Sequence, residues 1–207
     1  MYLSRIEIDT DKPIVQRVLN SPHMLHAAIE RCFPDDEKGR KLWRLDRLGG
    51  RLYLLLLSPS IPGFKPLAEQ YCPESVTGES KPYLPFLANI KENQKWRFRL
   101  QANPTHSEYV SGGKRGKVYA HVTVKQQEGW LLKKATACGF DLNEQQFFVA
   151  QNDVLRFTRQ GKSVTLGVTV FEGVLTVTNV ELFRNTLISG IGRAKAYGCG
   201  LLTIMPL

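Results

Sequence analysis

Two of the chain's four histidines, His23 and His26, stand three residues apart in the stretch from Ser21 to Phe33. Imidazole has an unperturbed pKa of about 6.5, so it can take or give a proton near neutral pH. Proton transfer is therefore the chemistry this pair offers. Glu30 follows His26 at one further helical turn, close enough to interact. A metal site is a second option for histidines at i,i+3, but neither a third histidine nor a cysteine with ligand spacing follows. Spacing alone leaves the pair as candidates, because two histidines on a helix surface are usually inert.

The segment carrying them reads as a short helix. Ser21 stands at a capping position, Pro22 suits the first helical turn, and Pro34 sets the end. Met24, Leu25, Ala28, Ile29, Cys32 and Phe33 share one apolar face, which leaves the histidines on the opposite, solvent-facing side. Before this helix, residues 2–8 read as a strand, and a helical stretch reaches Leu19. After it, an acidic turn (Pro34 to Glu37) leads to alternating residues from Lys41 to Leu48. Gly49-Gly50 predicts a hairpin into a strand from Arg51 to Leu57. A helix over Pro66 to Tyr71, a turn-rich stretch to Pro85 and a strand over Phe86 to Ile90 complete a split βαβ, ferredoxin-like order. The second half repeats it. Strands are expected over Lys95 to Ala102, Phe147 to Thr158, Lys162 to Phe171 and, after a turn at Glu172-Gly173, Val174 to Thr178. A helix over Gln126 to Cys138 ends at Gly139, Asn179 caps another reaching about Ser189, and Gly200 to Met205 is the last strand. The expected fold is α+β, two tandem ferredoxin-like domains over residues 1–90 and 95–207.

With 207 residues, 43% hydrophobic and 23% charged, the chain has the composition of a globular protein. The apolar run Leu52 to Leu57 is far shorter than the roughly 20 residues a bilayer helix needs. The opening residues lack the apolar core of a secretory signal. Cys32, Cys72, Cys138 and Cys199 are scattered without C-x-x-C spacing, as free thiols in a reducing cytoplasm would be. No membrane association is expected. Charge is divided unevenly: residues 1–94 hold 13 Lys/Arg against 12 Asp/Glu, and residues 95–207 hold 15 against 7. A localised basic surface favours nucleic acid, although acidic proteins and lipid headgroups also attract such surfaces.

Three basic elements lie in that second half. One is the loop Ser111 to Lys117, with Lys114, Arg115 and Lys117. The next is the hairpin Val154 to Val164, with Arg156, Arg159 and Lys162 near its tip, a ribbon able to lie along a groove. The last is Gly190 to Gly200, with Arg193 and Lys195 among four glycines, which favours phosphate contact. It follows a helix and precedes a strand, so it is no dinucleotide fingerprint. Without Gly-Lys-Ser/Thr it is no Walker loop either. The carboxylates show no pairing suited to a two-metal site.

Met1-Tyr2-Leu3-Ser4, Ser21-Pro22 leading to His26, Phe98 to Pro104, Val170-Phe171-Glu172-Gly173-Val174-Leu175 and the ending from Gly190-Ile191-Gly192 to Pro206 resemble the CasE family. These are CRISPR repeat-RNA-processing endoribonucleases of the subtype I-E Cascade complex, and the likeness runs nearly the whole chain. It implies tandem RRM-related domains, the first bearing the catalytic helix and the second gripping RNA. It further implies metal-independent cleavage at the base of a repeat stem-loop, with other Cascade subunits as partners and no cofactor. The 2′-hydroxyl attacks the adjacent phosphate, leaving a 2′,3′-cyclic phosphate and a 5′-hydroxyl. His26 matches the catalytic histidine, as acid or base. His23 stands where relatives often carry tyrosine, Arg31 where a relative has lysine, and Arg193 where proline is usual. A non-catalytic RNA-binding subunit is the alternative reading.

Overall fold

In the computed structural model, which describes residues 1–108 and 116–207, alternating apolar residues and tight turns produce two four-stranded antiparallel sheets. The first is built from β1 (Tyr2–Ile8), β2 (Leu42–Leu48), β3 (Arg51–Ser58) and β4 (Glu79–Pro82), in the spatial order β2-β3-β1-β4. Helices α1 (Pro13–Leu19) and α2 (Pro22–Glu30) follow β1, and α3 (Lys65–Tyr71) follows β3. A short helix, α4 (Leu84–Ala88), leads out of this unit. The second sheet contains β5 (Lys95–Ala102), β8 (Phe140–Arg159), β9 (Lys162–Val177) and β10 (Leu202–Met205), in the order β10-β5-β9-β8. Between β5 and β8 come a small separate hairpin, β6 (Thr105–Ser107) with β7 (Val118–Ala120), and α5 (Val124–Ala135). Helix α6 (Val180–Ser189) precedes β10. Each sheet interleaves two β-helix-β crossovers, so both units are ferredoxin-like and α+β, as the order of elements predicts.

Capping and turn residues act where expected. Gly49 and Gly50 adopt φ values of 57° and 81°, the left-handed pair a two-residue hairpin turn requires. Asn179 Oδ1 accepts from the Leu182 N–H at 3.0 Å, and Gly139 ends the α5 region at φ 78°. Ser21 occupies the N-cap of α2, yet its side chain makes no capping bond. The helix ends at Glu30, earlier than Pro34 implied, and turns at Cys32 and Phe33 bridge the gap.

Elements of both sheets differ from the sequence expectation. The fourth strand of the first sheet is Glu79–Pro82, inside the stretch read as turns, while Phe86–Ile90 is no strand because Leu84–Ala88 is helical. A polar, proline-ended segment suits an edge position, where one side needs no ladder partner. Nor does the chain turn at Glu172-Gly173; β9 runs straight through to Val177. Gly173 (φ 156°) lies opposite a register shift in β8, and a Cβ there would sit 2.3 Å from the Gln146 carbonyl oxygen. Glycine is needed for close approach at a bulge, not for a turn.

The run Leu52 to Leu57 is apolar on both faces because both faces are covered. Leu52, Leu54 and Leu56 pack with Trp43, Leu25, Ile29 and Leu67 beneath the helices; Leu57 joins Leu42, Leu100, Phe171 and Leu202 in the second unit's core. Beside that seam lies Arg44, fully buried. It binds both carboxylate oxygens of Asp46 at 2.8 and 2.7 Å and donates to the Arg99 and Leu201 carbonyls at 2.9 Å and to Thr203 Oγ1 at 2.8 Å. A second tie comes from α6, where Arg184 donates to the carbonyls of Leu87, Ala88 and Ile90 at 2.8 to 3.0 Å. These bonds fix the two units against each other, and so fix what faces α2.

Candidate active site

Helix α2 buries Leu25, Ala28 and Ile29 and so aims its other side at the second unit. The histidines are not solvent-facing as the helical pattern predicts: both are half-buried. His23 stacks on Phe157 of β8 with ring centroids 5.7 Å apart, and Phe157 in turn meets the Tyr197 ring at 5.2 Å. The Nδ1 atoms of both histidines are buried, without a hydrogen-bond partner among the described residues. His26 Nδ1 lies 3.8 Å from Glu30 Oε1, and the other oxygen of Glu30 accepts from Lys41 Nζ at 3.0 Å.

An open pocket of about 380 Å³ forms here, lined by His26, Glu30, Gly39, Arg40, Lys41, Lys195 and Ala196. Its electrostatics are cationic. Burial is the main force lowering the His26 pKa below its ordinary value; Glu30 opposes it, while Arg159 and Lys41 add to it. The imidazole is consequently neutral at pH 7, with a lone pair free to accept a proton. Lys195 is also lowered, by burial first and by Arg40 second. Such a pocket suits a phosphate next to a hydroxyl that must lose its proton.

Two sources of this cationic charge have no motif around them. Arg40 and Lys41 sit just before β2, and Gly39 (φ 136°) brings them in because a Cβ there would stand 2.6 Å from Pro59 Cγ. Lys41 is almost wholly buried, its ammonium 4.7 Å from the centre of the Phe33 ring. The one available signal is that Lys41 immediately precedes the alternating strand β2. Arg31, by contrast, is the exposed C-cap of α2 and does not line the pocket.

The basic hairpin is docked, not free. Leu155 and Phe157 turn inward onto Leu166, Val168 and Tyr197. Because strand residues alternate, Arg159 shares their side and Arg156 points to the other. Arg159 donates to the Tyr197 hydroxyl at 2.7 Å, and Lys162 is its cross-strand neighbour. Arg156, Arg159 and Lys162 are all exposed, so the ribbon offers cations on two faces around a packed apolar spine.

In the glycine segment, close packing takes precedence over an open N–H cradle. Cβ atoms on Gly192 and Gly198 would lie 3.0 Å from Trp130 and 2.8 Å from Trp43. The N–H groups of Ile191 and Gly200 already donate to Gly200 and Gln101. What the segment presents is Arg193, exposed, and Lys195, carried on a one-turn helix (Lys195–Tyr197) against α2. Lys117 is exposed before β7, away from the pocket lining; Lys114 and Arg115 lie outside the described residues.

The cysteines supply no nucleophile. None is disulfide-bonded, and burial pushes Cys32 up to about 11 and Cys72 and Cys199 to about 12. Among the described residues no three His, Cys, Asp or Glu side chains are grouped to hold a metal, and no helix is long and apolar enough to cross a membrane.

Residues 1–206 match a family model described as CRISPR associated protein. The chain is 28% identical over 221 residues to the CRISPR-associated endoribonuclease Cse3 of Thermus thermophilus, covering all of both chains. The solved structure of Thermus thermophilus Cse3 bound to an RNA representing a pre-cleavage complex is similar at a TM-score of 0.84 and 27% identity, over 99% of this chain and 98% of that one. A segment of 51 residues, 25% of this chain and 26% of its relative, is 43% identical to the CRISPR system Cascade subunit CasE of Escherichia coli.

Proposed function

The chain belongs to the CRISPR-associated protein family as a CasE-type member, and we propose that it is the endoribonuclease that cuts the CRISPR repeat stem-loop within Cascade. The observation that carries this is His26, held neutral at the edge of a pocket whose other side chains include Arg40, Lys41 and Lys195. Neutral imidazole takes the proton of the 2′-hydroxyl, and the resulting oxyanion attacks the adjacent phosphorus. The bond from phosphorus to the 5′-oxygen breaks, leaving a 2′,3′-cyclic phosphate and a 5′-hydroxyl. Arg40 and Lys41 offset the charge on the phosphorane. Lys195, its ammonium acidified by burial, stands in the same pocket and gives the leaving oxygen its proton. His23, stacked on Phe157, aligns the nucleotide beside His26. Arg31, exposed at the end of α2, adds positive charge for the RNA backbone.

Phosphate contacts from Arg156, Arg159, Lys162, Arg193 and Lys117 hold the stem, and the basic residues Lys114 and Arg115 add positive charge for the same RNA. Residues 1–90 act as the catalytic domain and 95–207 as the RNA-gripping domain, and the protein works in the cytoplasm. Repeat hairpin RNA incubated with the protein in EDTA tests the reading. Cleavage at the stem base with a cyclic phosphate end is expected, and His26→Ala cuts at least roughly 100-fold more slowly while binding as before. Cleavage that EDTA abolishes, or an unimpaired His26→Ala, refutes the mechanism; binding without any cleavage makes the chain an RNA-binding subunit only.

A further inference from the structure

Glu30 belongs to none of the roles above, yet it touches two of their members. Its carboxylate is shared: one oxygen faces His26 Nδ1 at 3.8 Å, the other holds Lys41 Nζ at 3.0 Å. His26 and Glu30 both ride on α2, at i and i+4, so the helix itself sets their separation. Lys41 is anchored from the other side by burial and by the Phe33 ring. His26 Nδ1 is buried and has no hydrogen-bond partner among the described residues. We propose that Glu30 is a positioning residue for His26, fixing the proton on Nδ1 so that Nε2 is the atom that deprotonates the 2′-hydroxyl, and that Lys41 is the counter-charge that tethers Glu30.

Neutral imidazole carries one proton, and which nitrogen holds it depends on what the other meets. A carboxylate beside Nδ1 favours the Nδ1–H tautomer. The 3.8 Å gap is longer than a hydrogen bond and closes when substrate orders the ring, as catalytic hydrogen bonds tighten on substrate binding. The carboxylate also raises the imidazole's basicity, against the effect of burial. Lys41 moderates that by holding the carboxylate's other oxygen at 3.0 Å. The other charged groups around His26 are Arg40 and Lys195, which line the same pocket, and Arg159 from the hairpin, which acts with Lys41 against protonation. Among the described residues, Glu30 is the sole acid lining this pocket.

This rests on His26 being the base, and the test separates the two ideas. Nuclear magnetic resonance titration of the free protein reads the His26 imidazole without RNA; the chain has only four histidines to assign. Glu30→Gln is expected to lower the His26 pKa and Lys41→Met to raise it, each by about half a pH unit at this partly exposed site. The double variant returns towards wild type. In cleavage assays Glu30→Gln slows the reaction roughly 10- to 100-fold, mostly in kcat, with its acidic limb displaced to lower pH. Glu30→Asp recovers part of the loss. If the two single variants move His26 the same way, or neither moves it, or Glu30→Gln cuts at the wild-type rate, the proposal is overturned. Should Lys41→Met not fold, Glu30→Gln decides alone, since Glu30 is a half-exposed side chain whose loss leaves the core intact. Opposed titration shifts in a protein that never cuts RNA would uphold the coupling and refute only the nuclease reading.

Discussion

Replacing Arg44 by Met keeps the aliphatic stem and deletes the guanidinium at the seam between the two units. Five hydrogen bonds go with it: two to Asp46, one each to the Arg99 and Leu201 carbonyls, and one to Thr203. Breaking a buried ion pair from one side costs about 3–5 kcal/mol, because the remaining charge stays buried. Asp46 keeps Arg99 Nε at 3.0 Å and the Arg99 carbonyl keeps Thr203 Oγ1 at 3.3 Å, which places the loss near the lower end. The Leu201 carbonyl, however, loses its side-chain donor, at about 1 kcal/mol or more. The expected destabilisation is about 3–4 kcal/mol, read as a lower urea midpoint and a melting temperature down by roughly 6–16 °C. Arg44→Met/Asp46→Leu removes both charges and should recover at least about 2 kcal/mol of that. A single-variant loss under about 1 kcal/mol, or a double variant no firmer than the single, would refute the idea that this pair locks the seam.

Two glycines should respond to alanine with opposite signs. Gly173→Ala places a methyl 2.3 Å from a backbone oxygen at the bulge and should destabilise by at least about 2 kcal/mol; Gly129→Ala, inside α5 with nothing within 4 Å, should stabilise by about 0.5–1 kcal/mol, both measured by urea unfolding. Neutralising Arg156, Arg159 and Lys162 together should weaken RNA binding and reduce the slope of log affinity against log salt by about 2–3, at roughly 0.7–0.9 for each phosphate that no longer meets a cation; an unaltered slope would place the grip elsewhere.

Local patterns in the chain are informative where the physics is local. The alternation of Lys95 to Ala102, the left-handed demand of Gly49-Gly50 and the cap at Asn179 each depend on a few neighbouring residues, and each element forms as read. Glu79–Pro82 is illegible as a strand because an edge strand need not be apolar. Gly173 reads as a turn residue in isolation; only the approach of Phe147, 26 residues earlier, gives it its purpose. The site divides the same way. His23, His26 and Glu30 are neighbours on one helix and visible as a group. Arg40, Lys41 and Lys195 join them through tertiary packing, and no spacing rule connects residue 195 to residue 26. Arg44 and Asp46 look like the polar face of an ordinary strand until a second sheet covers them.

Binding the protein to its repeat hairpin with a 2′-deoxy nucleotide at the cut site, and solving that complex, measures the distance that matters most. A neutral His26 acting as the base puts its Nε2 about 3 Å from the position of the missing hydroxyl, with the scissile phosphate among Arg40, Lys41 and Lys195. A cut site seated on another wall of the protein, beyond reach of residue 26, would contradict the account.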